Sequence, residues 1–159
     1  MFKSKVEEVE ILSPLKGEII DLTEVPDPVF AEKMLGDGFA IIPNEGRLLS
    51  PVEGKVVEIF PTKHAIGIKT KEGLELLIHV GLETVELNGE GFEVMVETDD
   101  SIAVGDHLLS FDIDFIEKNN KEIITPVVVT NHNDKVKNFS KISSPQVAYQ
   151  DLVLKCELK

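Results

Sequence analysis

One eleven-residue word is written twice in this chain. Leu12-Ser13-Pro14-Leu15-Lys16-Gly17-Glu18-Ile19-Ile20-Asp21-Leu22 recurs as Leu49-Ser50-Pro51-Val52-Glu53-Gly54-Lys55-Val56-Val57-Glu58-Ile59. Leu, Ser, Pro and Gly are identical, charged positions stay charged although two swap sign, and β-branched pairs fill the same slots. Pro fixes φ and Gly permits a turn, so each copy reads as a turn feeding a strand. Two copies imply an internally duplicated β structure, whereas a solenoid needs three or more. The other apolar runs agree. Strand candidates are 18–22, 39–42, 55–60, 64–69, 74–80, 92–97, 108–111, 124–130 and 152–157, punctuated by Gly, Pro, Asn and Asp. Short strands at this spacing predict an all-β sandwich or barrel. Only 27–35 and 112–119 read as helical, the second with Asp112 placed to cap it. The polar stretch 131–144 reads as a loop or weak helix. Residues 1–12 read as a loose leader ahead of one domain over 13–159, a length that suits a single core.

Charge narrows the function. Sixteen Lys+Arg against 29 Asp+Glu give a formal charge of -13, which opposes binding to nucleic acid or an anionic membrane. A basic protein partner is favoured instead. Apolar runs reach only three or four residues, far below the roughly 18 of a membrane span, and the start lacks a signal peptide's apolar stretch. The expectation is a cytoplasmic monomer without direct membrane insertion, and the opening Met and short leader favour a freestanding polypeptide. The single Cys156 has no partner for a disulfide or a zinc pair, and reads as an inert buried thiol.

Chemistry centres on histidine. His107, at a turn-to-strand junction, and His132, among Asn and Asp, read as solvated surface residues. His64 and His79 each sit in a β run. Alternation puts Leu76, Ile78 and Val80 on one face and Glu75, Leu77 and His79 on the other. The short turn Thr70-Lys71-Glu72-Gly73 allows an antiparallel hairpin in which the two imidazoles approach. From pattern alone this pair fits a structural, a catalytic or a metal-ligand role.

Longer words decide among these. Asp27-Pro28-Val29-Phe30-Ala31-Glu32-Lys33-Met34-Leu35-Gly36-Asp37-Gly38 precedes Thr62-Lys63-His64-Ala65. Then come Leu77-Ile78-His79-Val80-Gly81-Leu82-Glu83-Thr84-Val85-Glu86-Leu87-Asn88-Gly89-Glu90-Gly91-Phe92, Val104-Gly105-Asp106 and Thr125-Pro126-Val127-Val128-Val129-Thr130-Asn131. From about Ser13 onward the chain closely resembles the glucose-family enzyme IIA domain of the bacterial phosphoenolpyruvate-dependent sugar phosphotransferase system. The resemblance implies an antiparallel β-sandwich, a duplicated barrel-sandwich hybrid. It implies a phosphocarrier that takes a phosphoryl group from the carrier protein HPr and passes it to a cysteine of an enzyme IIB domain. His79 matches the phosphoacceptor, His64 the second active-site histidine and Thr62 the residue that orients it. Pro28, Val29, Phe30, Met34, Leu35, Phe60, Leu77 and Val85 match an apolar docking ring, with Asp27 and Glu83 at an acidic rim. Glu83 replaces the Asp, and Leu77 the Phe, of some members. No metal or cofactor is implied.

Rival readings remain at this point. A histidine-ligated zinc hydrolase usually supplies three protein ligands, and only two suitable histidines stand out. A biotinyl or lipoyl carrier needs a Lys after Val104-Gly105-Asp106, where the chain reads Ser110-Phe111-Asp112-Ile113-Asp114. A regulatory binding module, its surface switched by phosphorylation, is compatible with transfer. The sugar is not specified.

Overall fold

A computed structural model describes residues 7–142 and 144–159. The chain runs through β1 (Glu8–Leu12) and β2 (Gly17–Asp21) to a short helix α1 (Pro28–Ala31). Then follow β3 (Asp37–Pro43), β4 (Arg47–Leu49), β5 (Gly54–Ile59), β6 (Ala65–Thr70) and β7 (Glu75–His79). After these come β8 (Phe92–Val94), β9 (Ser101–Ile102), β10 (His107–Phe111) and α2 (Ile113–Lys118). The chain closes with β11 (Thr125–Val129), α3 (His132–Lys135), β12 (Val136–Lys141), β13 (Gln146–Val147) and β14 (Leu152–Leu158). Every strand pair is antiparallel. One sheet has eight strands in the order β13-β2-β3-β11-β7-β6-β5-β9, and two smaller ones run β4-β10-β8 and β1-β14-β12. The all-β antiparallel expectation holds. Among the described residues no helix is long and apolar enough to cross a membrane.

The repeated word does structural work in both copies. Ser13 Oγ donates to the Leu15 carbonyl (2.6 Å) and Ser50 Oγ to the Val52 carbonyl (2.7 Å), each serine 1% exposed. The copies also bond to each other, Leu12 N–H to the Pro51 carbonyl and Leu49 N–H to the Pro14 carbonyl. That reciprocity is the signature of an internal pseudo-twofold. The glycines serve a different purpose from the expected turn. Neither adopts positive φ; a Cβ would lie 2.1 Å from the Ile42 carbonyl oxygen at Gly17 and 2.4 Å from that of Lys69 at Gly54. Close approach of the neighbouring strand is what excludes a side chain there. A second echo, not legible as a repeat in sequence, joins Ala103–Asp106 to Ala148–Asp151. In each, the aspartate Oδ2 accepts from the alanine N–H at 2.8 Å, and the backbone bonds the repeat serine, Ser50 or Ser13.

Three sequence expectations are corrected. Within the expected loose leader, Glu8–Leu12 is a strand that pairs with β14 and buries Val9 and Ile11 against Cys156 and Leu154. The polar stretch 131–144 contains α3 and then β12, an edge strand on β14 whose outward residues face water. Polar composition hid it because only Val136 is buried. The helix expected over 27–35 ends at Ala31, since Lys33 turns to φ 59°. The expected strand cores lie within a few residues of those observed.

The main core fills the space between sheets and includes Ile41, Leu48, Ile66, Ile68, Leu76, Ile78, Val80 and Leu108. A second cluster, Leu22, Val25, Phe30, Ala40, Leu82 and Val128, with Leu77 partly buried against it, lies on the other face. Alternation in β7 explains both, since Leu76 and Ile78 point into the main core while Leu77 and His79 point to the second cluster. Cys156 is fully buried, and desolvation pushes its thiol up to about 12, as befits an inert side chain.

Candidate functional site

His79 ends β7 on the face carrying the second cluster. His64 lies one residue before β6, not inside it as expected. That position matters, because Ala65 stands opposite His79 in the ladder and strict alternation would turn residue 64 to the opposite face. Outside the pleat and after Lys63, at φ 62°, the His64 ring is free to lie against His79. The two ring centroids are 4.7 Å apart at 79°. The backbones are joined as well, with Val80 N–H donating to the His64 carbonyl at 2.7 Å.

Both rings are held by the same nitrogen. His79 Nδ1 is 2.7 Å from the Gly81 carbonyl oxygen, which only accepts, so Nδ1 carries a proton. In the neutral ring the lone pair then belongs to Nε2. His64 Nδ1 is 2.7 Å from Thr62 Oγ1, a group that donates or accepts. Among the described residues neither Nε2 has a partner, so both present that atom for use.

Burial keeps the pair neutral. His64 is 2% exposed; desolvation first, and then the adjacent His79, bring its pKa down to about 4, with the Thr62 backbone offsetting part. His79, half-buried, is also held below the ordinary imidazole value. Desolvation is the main cause, opposed by the Gly81 hydrogen bond and by the Asp27 carboxylate. At neutral pH, then, His79 and His64 are both uncharged imidazoles.

The carbonyl that orients His79 sits in a turn that only glycine fits. Gly81 has φ 77°, and a Cβ there would lie 2.5 Å from Thr84 Cγ2 and 2.8 Å from the Glu122 oxygen. Sequence reasoning did not locate this carbonyl. The Gly two places after His79 was the available signal.

The expected docking residues divide. Pro28 is exposed, as are Val29 (38%), Met34 (68%), Leu35 (41%) and Val85 (49%). Phe60 and Leu77 are half-buried, with the Phe60 ring 5.6 Å from that of His64. Phe30, matched to the docking ring, is not an exposed contact. It is 3% exposed, packs in the second cluster and sets its ring 5.1 Å from His79. It is the floor beneath the imidazole because α1, capped by Asp27 Oδ1 on Val29 N–H at 3.0 Å, turns it inward. Asp27 is half-buried near His79, and Glu83 is exposed at φ 58° where the turn after Gly81 begins. His107 and His132 are both half-buried instead of fully solvated, His107 with Nε2 2.9 Å from Ser110 Oγ and His132 beside Phe139.

Clefts of about 360, 710 and 400 Å³ open elsewhere, and neither histidine lines them. Among the described residues no group of three or more His, Cys, Asp or Glu side chains is close enough to hold a metal ion.

Residues 9–135 match the family model described as phosphoenolpyruvate-dependent sugar phosphotransferase system, EIIA 1. The chain is 54% identical over 123 residues to a PTS system glucose-specific EIIA component of Staphylococcus epidermidis, covering 77% of this chain and 74% of that one. A protein of the same name from Staphylococcus aureus is 51% identical over 129 residues, covering 81% and 78%. Among solved structures, glucose permease IIA from Mycoplasma capricolum superposes with a TM-score of 0.88 at 43% identity, over 94% of this chain and 96% of that one.

Proposed function

Because this chain belongs to the EIIA 1 family of the phosphoenolpyruvate-dependent sugar phosphotransferase system, which acts in phosphoryl transfer during sugar uptake, we propose that His79 is its phosphoryl acceptor. The donor is phospho-HPr and the receiver the cysteine of an enzyme IIB domain. The observation that carries the reading is the pair of neutral imidazoles 4.7 Å apart, each tied through Nδ1 and each offering Nε2.

In the forward step the His79 Nε2 lone pair forms a bond to phosphorus while the bond to the donor histidine nitrogen breaks. The displaced electron pair stays on that nitrogen. His79 keeps its Nδ1 proton on the Gly81 carbonyl, which holds the attacking lone pair in line. When the Thr62 hydroxyl donates to His64 Nδ1, the His64 proton sits on Nε2 and faces the equatorial phosphoryl oxygens. The loose transition state asks mainly for this positioning and charge stabilisation. In the second step an IIB thiolate attacks phosphorus and His79 leaves as the neutral imidazole.

A macromolecular donor suits a site outside the clefts and flanked by Val29, Met34, Leu35 and Val85. Such a partner supplies the other wall and excludes water. Asp27 and Glu83 at the rim favour a donor bearing Arg or Lys. The relatives' names favour glucose as the sugar, and a donor such as HPr favours a cytoplasmic location.

Phosphorylation by purified enzyme I, HPr and phosphoenolpyruvate, with mapping of the labelled residue, tests this. His79→Ala should abolish acid-labile phosphorylation with the fold retained. His64→Ala should slow transfer by at least about 10²-fold, as loss of one oxyanion-type donor does elsewhere. Label persisting without His79, or mapped to His64 in the native protein, overturns the assignment.

A further inference from the structure

We propose that Thr84 is a positioning residue for phosphoryl transfer, its buried hydroxyl anchoring the turn whose Gly81 carbonyl sets the tautomer of His79. The proposal rests on His79 being the acceptor. Its basis is how the three peptide groups after His79 are pinned, one by one.

Val80 N–H donates to the His64 carbonyl at 2.7 Å, fixing the peptide that follows His79. The Val80 carbonyl accepts from Thr84 Oγ1 at 2.6 Å, fixing the next one. Leu82 N–H donates to the Glu122 carbonyl at 3.0 Å, fixing the third. In a trans peptide the carbonyl and N–H of one plane point in opposite directions. The Gly81 carbonyl shares its plane with Leu82 N–H, so the bond to Glu122 aims that carbonyl away from Glu122 and toward His79 Nδ1.

Of these three anchors, one comes from a side chain. Thr84 is 0% exposed although it lies in a 3-10 turn (Thr84–Leu87) whose neighbours Glu83 and Val85 are exposed. Its methyl occupies the space where a Gly81 side chain would lie, 2.5 Å away, and its hydroxyl reaches back to Val80. One residue therefore crowds out a side chain at 81, together with the Glu122 carbonyl, and restrains the plane before it. On the solvent side of the turn, Lys121 Nζ also pairs with Glu86 Oε2 at 3.0 Å. Without the hydroxyl, the Val80 carbonyl loses its partner in a buried position and rotates to find another. That rotation carries the Gly81 carbonyl off Nδ1. The neutral ring then divides its proton between its two nitrogens, and the fraction with the Nε2 lone pair falls.

The test uses the full chain. Thr84→Val keeps the shape and removes the donor; Thr84→Ser keeps the donor and removes the methyl. Nitrogen-15 NMR of the imidazoles reads the His79 tautomer at pH 7.5 without any transfer partner, and phosphorylation by HPr reads the rate. Native protein should give the Nδ1–H form. Thr84→Val should give mixed tautomers and transfer about tenfold slower, the size of one lost buried hydrogen bond. Thr84→Ser should recover the native tautomer and most of the rate. If the valine variant fails to fold, Thr84→Cys, with its weak S–H donor, takes its place with the same expected direction. A folded Val or Cys variant with native rate and pure Nδ1–H tautomer overturns the proposal. Label mapping on the native protein separates this from failure of the underlying assignment, because phosphate on His64 overturns that assignment while the tautomer readout still judges Thr84.

Discussion

His64 should make the protein acid-sensitive in a narrow, calculable window. Its pKa is about 4 in the fold and 6.5 ordinarily. Between those values the unfolded chain binds a proton that the native chain refuses, so stability falls as pH drops below 6.5. The loss is complete near pH 4 and is worth about 3 kcal/mol in all. Over the accessible span from pH 7 to pH 5 the same linkage gives about 2 kcal/mol. Acidic side chains also titrate toward the lower end, so the comparison must be made against a variant. His64→Asn keeps a polar group near Thr62 and cannot take up a proton in this range. Urea unfolding of both proteins at pH 7, 6 and 5 gives two stability curves. The native curve should fall by about 2 kcal/mol more than the variant's over this span, whatever their offset. His79, also held low by burial, contributes the same sign to both curves. Parallel curves would mean that His64 accepts its proton freely in the folded protein. The argument that burial keeps it neutral would then be wrong.

Three further outcomes can be checked. Phosphorylation of His79 places a dianion beside His64 and should raise the His64 pKa well above about 4; an NMR titration that leaves it unmoved would place the phosphoryl group elsewhere. Phe30→Ala should cost about 3–5 kcal/mol of stability, since this ring is buried in the second cluster; calorimetry showing native stability would return Phe30 to the surface. Asp27→Lys combined with Glu83→Lys should slow association with HPr and flatten its dependence on ionic strength. Stopped-flow rates that ignore both salt and the double change would remove charge steering from the encounter.

Much of the fold was legible because short strands announce themselves through β-branched runs between Gly and Pro. The strands β3, β5, β6, β7 and β11 were all found near their true limits. What escaped were edges. Strand β12 turns mostly polar residues to water, and β9 and β13 are two residues each. Such elements are set by their partners, not by their own composition. In the site, the grouping of His64, His79 and Thr62 was legible in the words around them. The burial of Phe30 was not, because an apolar residue in a docking segment and one in a core look alike in sequence.

The chain by itself determined the duplicated Leu-Ser-Pro-x-x-Gly word, the faces of β7 and the short hairpin that brings the segments of His64 and His79 together. All of these depend on local spacing. The tertiary structure decided why Gly17 and Gly54 are glycines, which carbonyl holds His79, and how far burial depresses the imidazole pKa values. Each of these needs groups far apart in the chain: Ile42 against Gly17, Lys69 against Gly54, Glu122 behind Gly81, Asp27 and Phe30 beside His79. Local sequence sets where a side chain points, but the dielectric around it and the carbonyl facing it come from whatever the fold brings alongside.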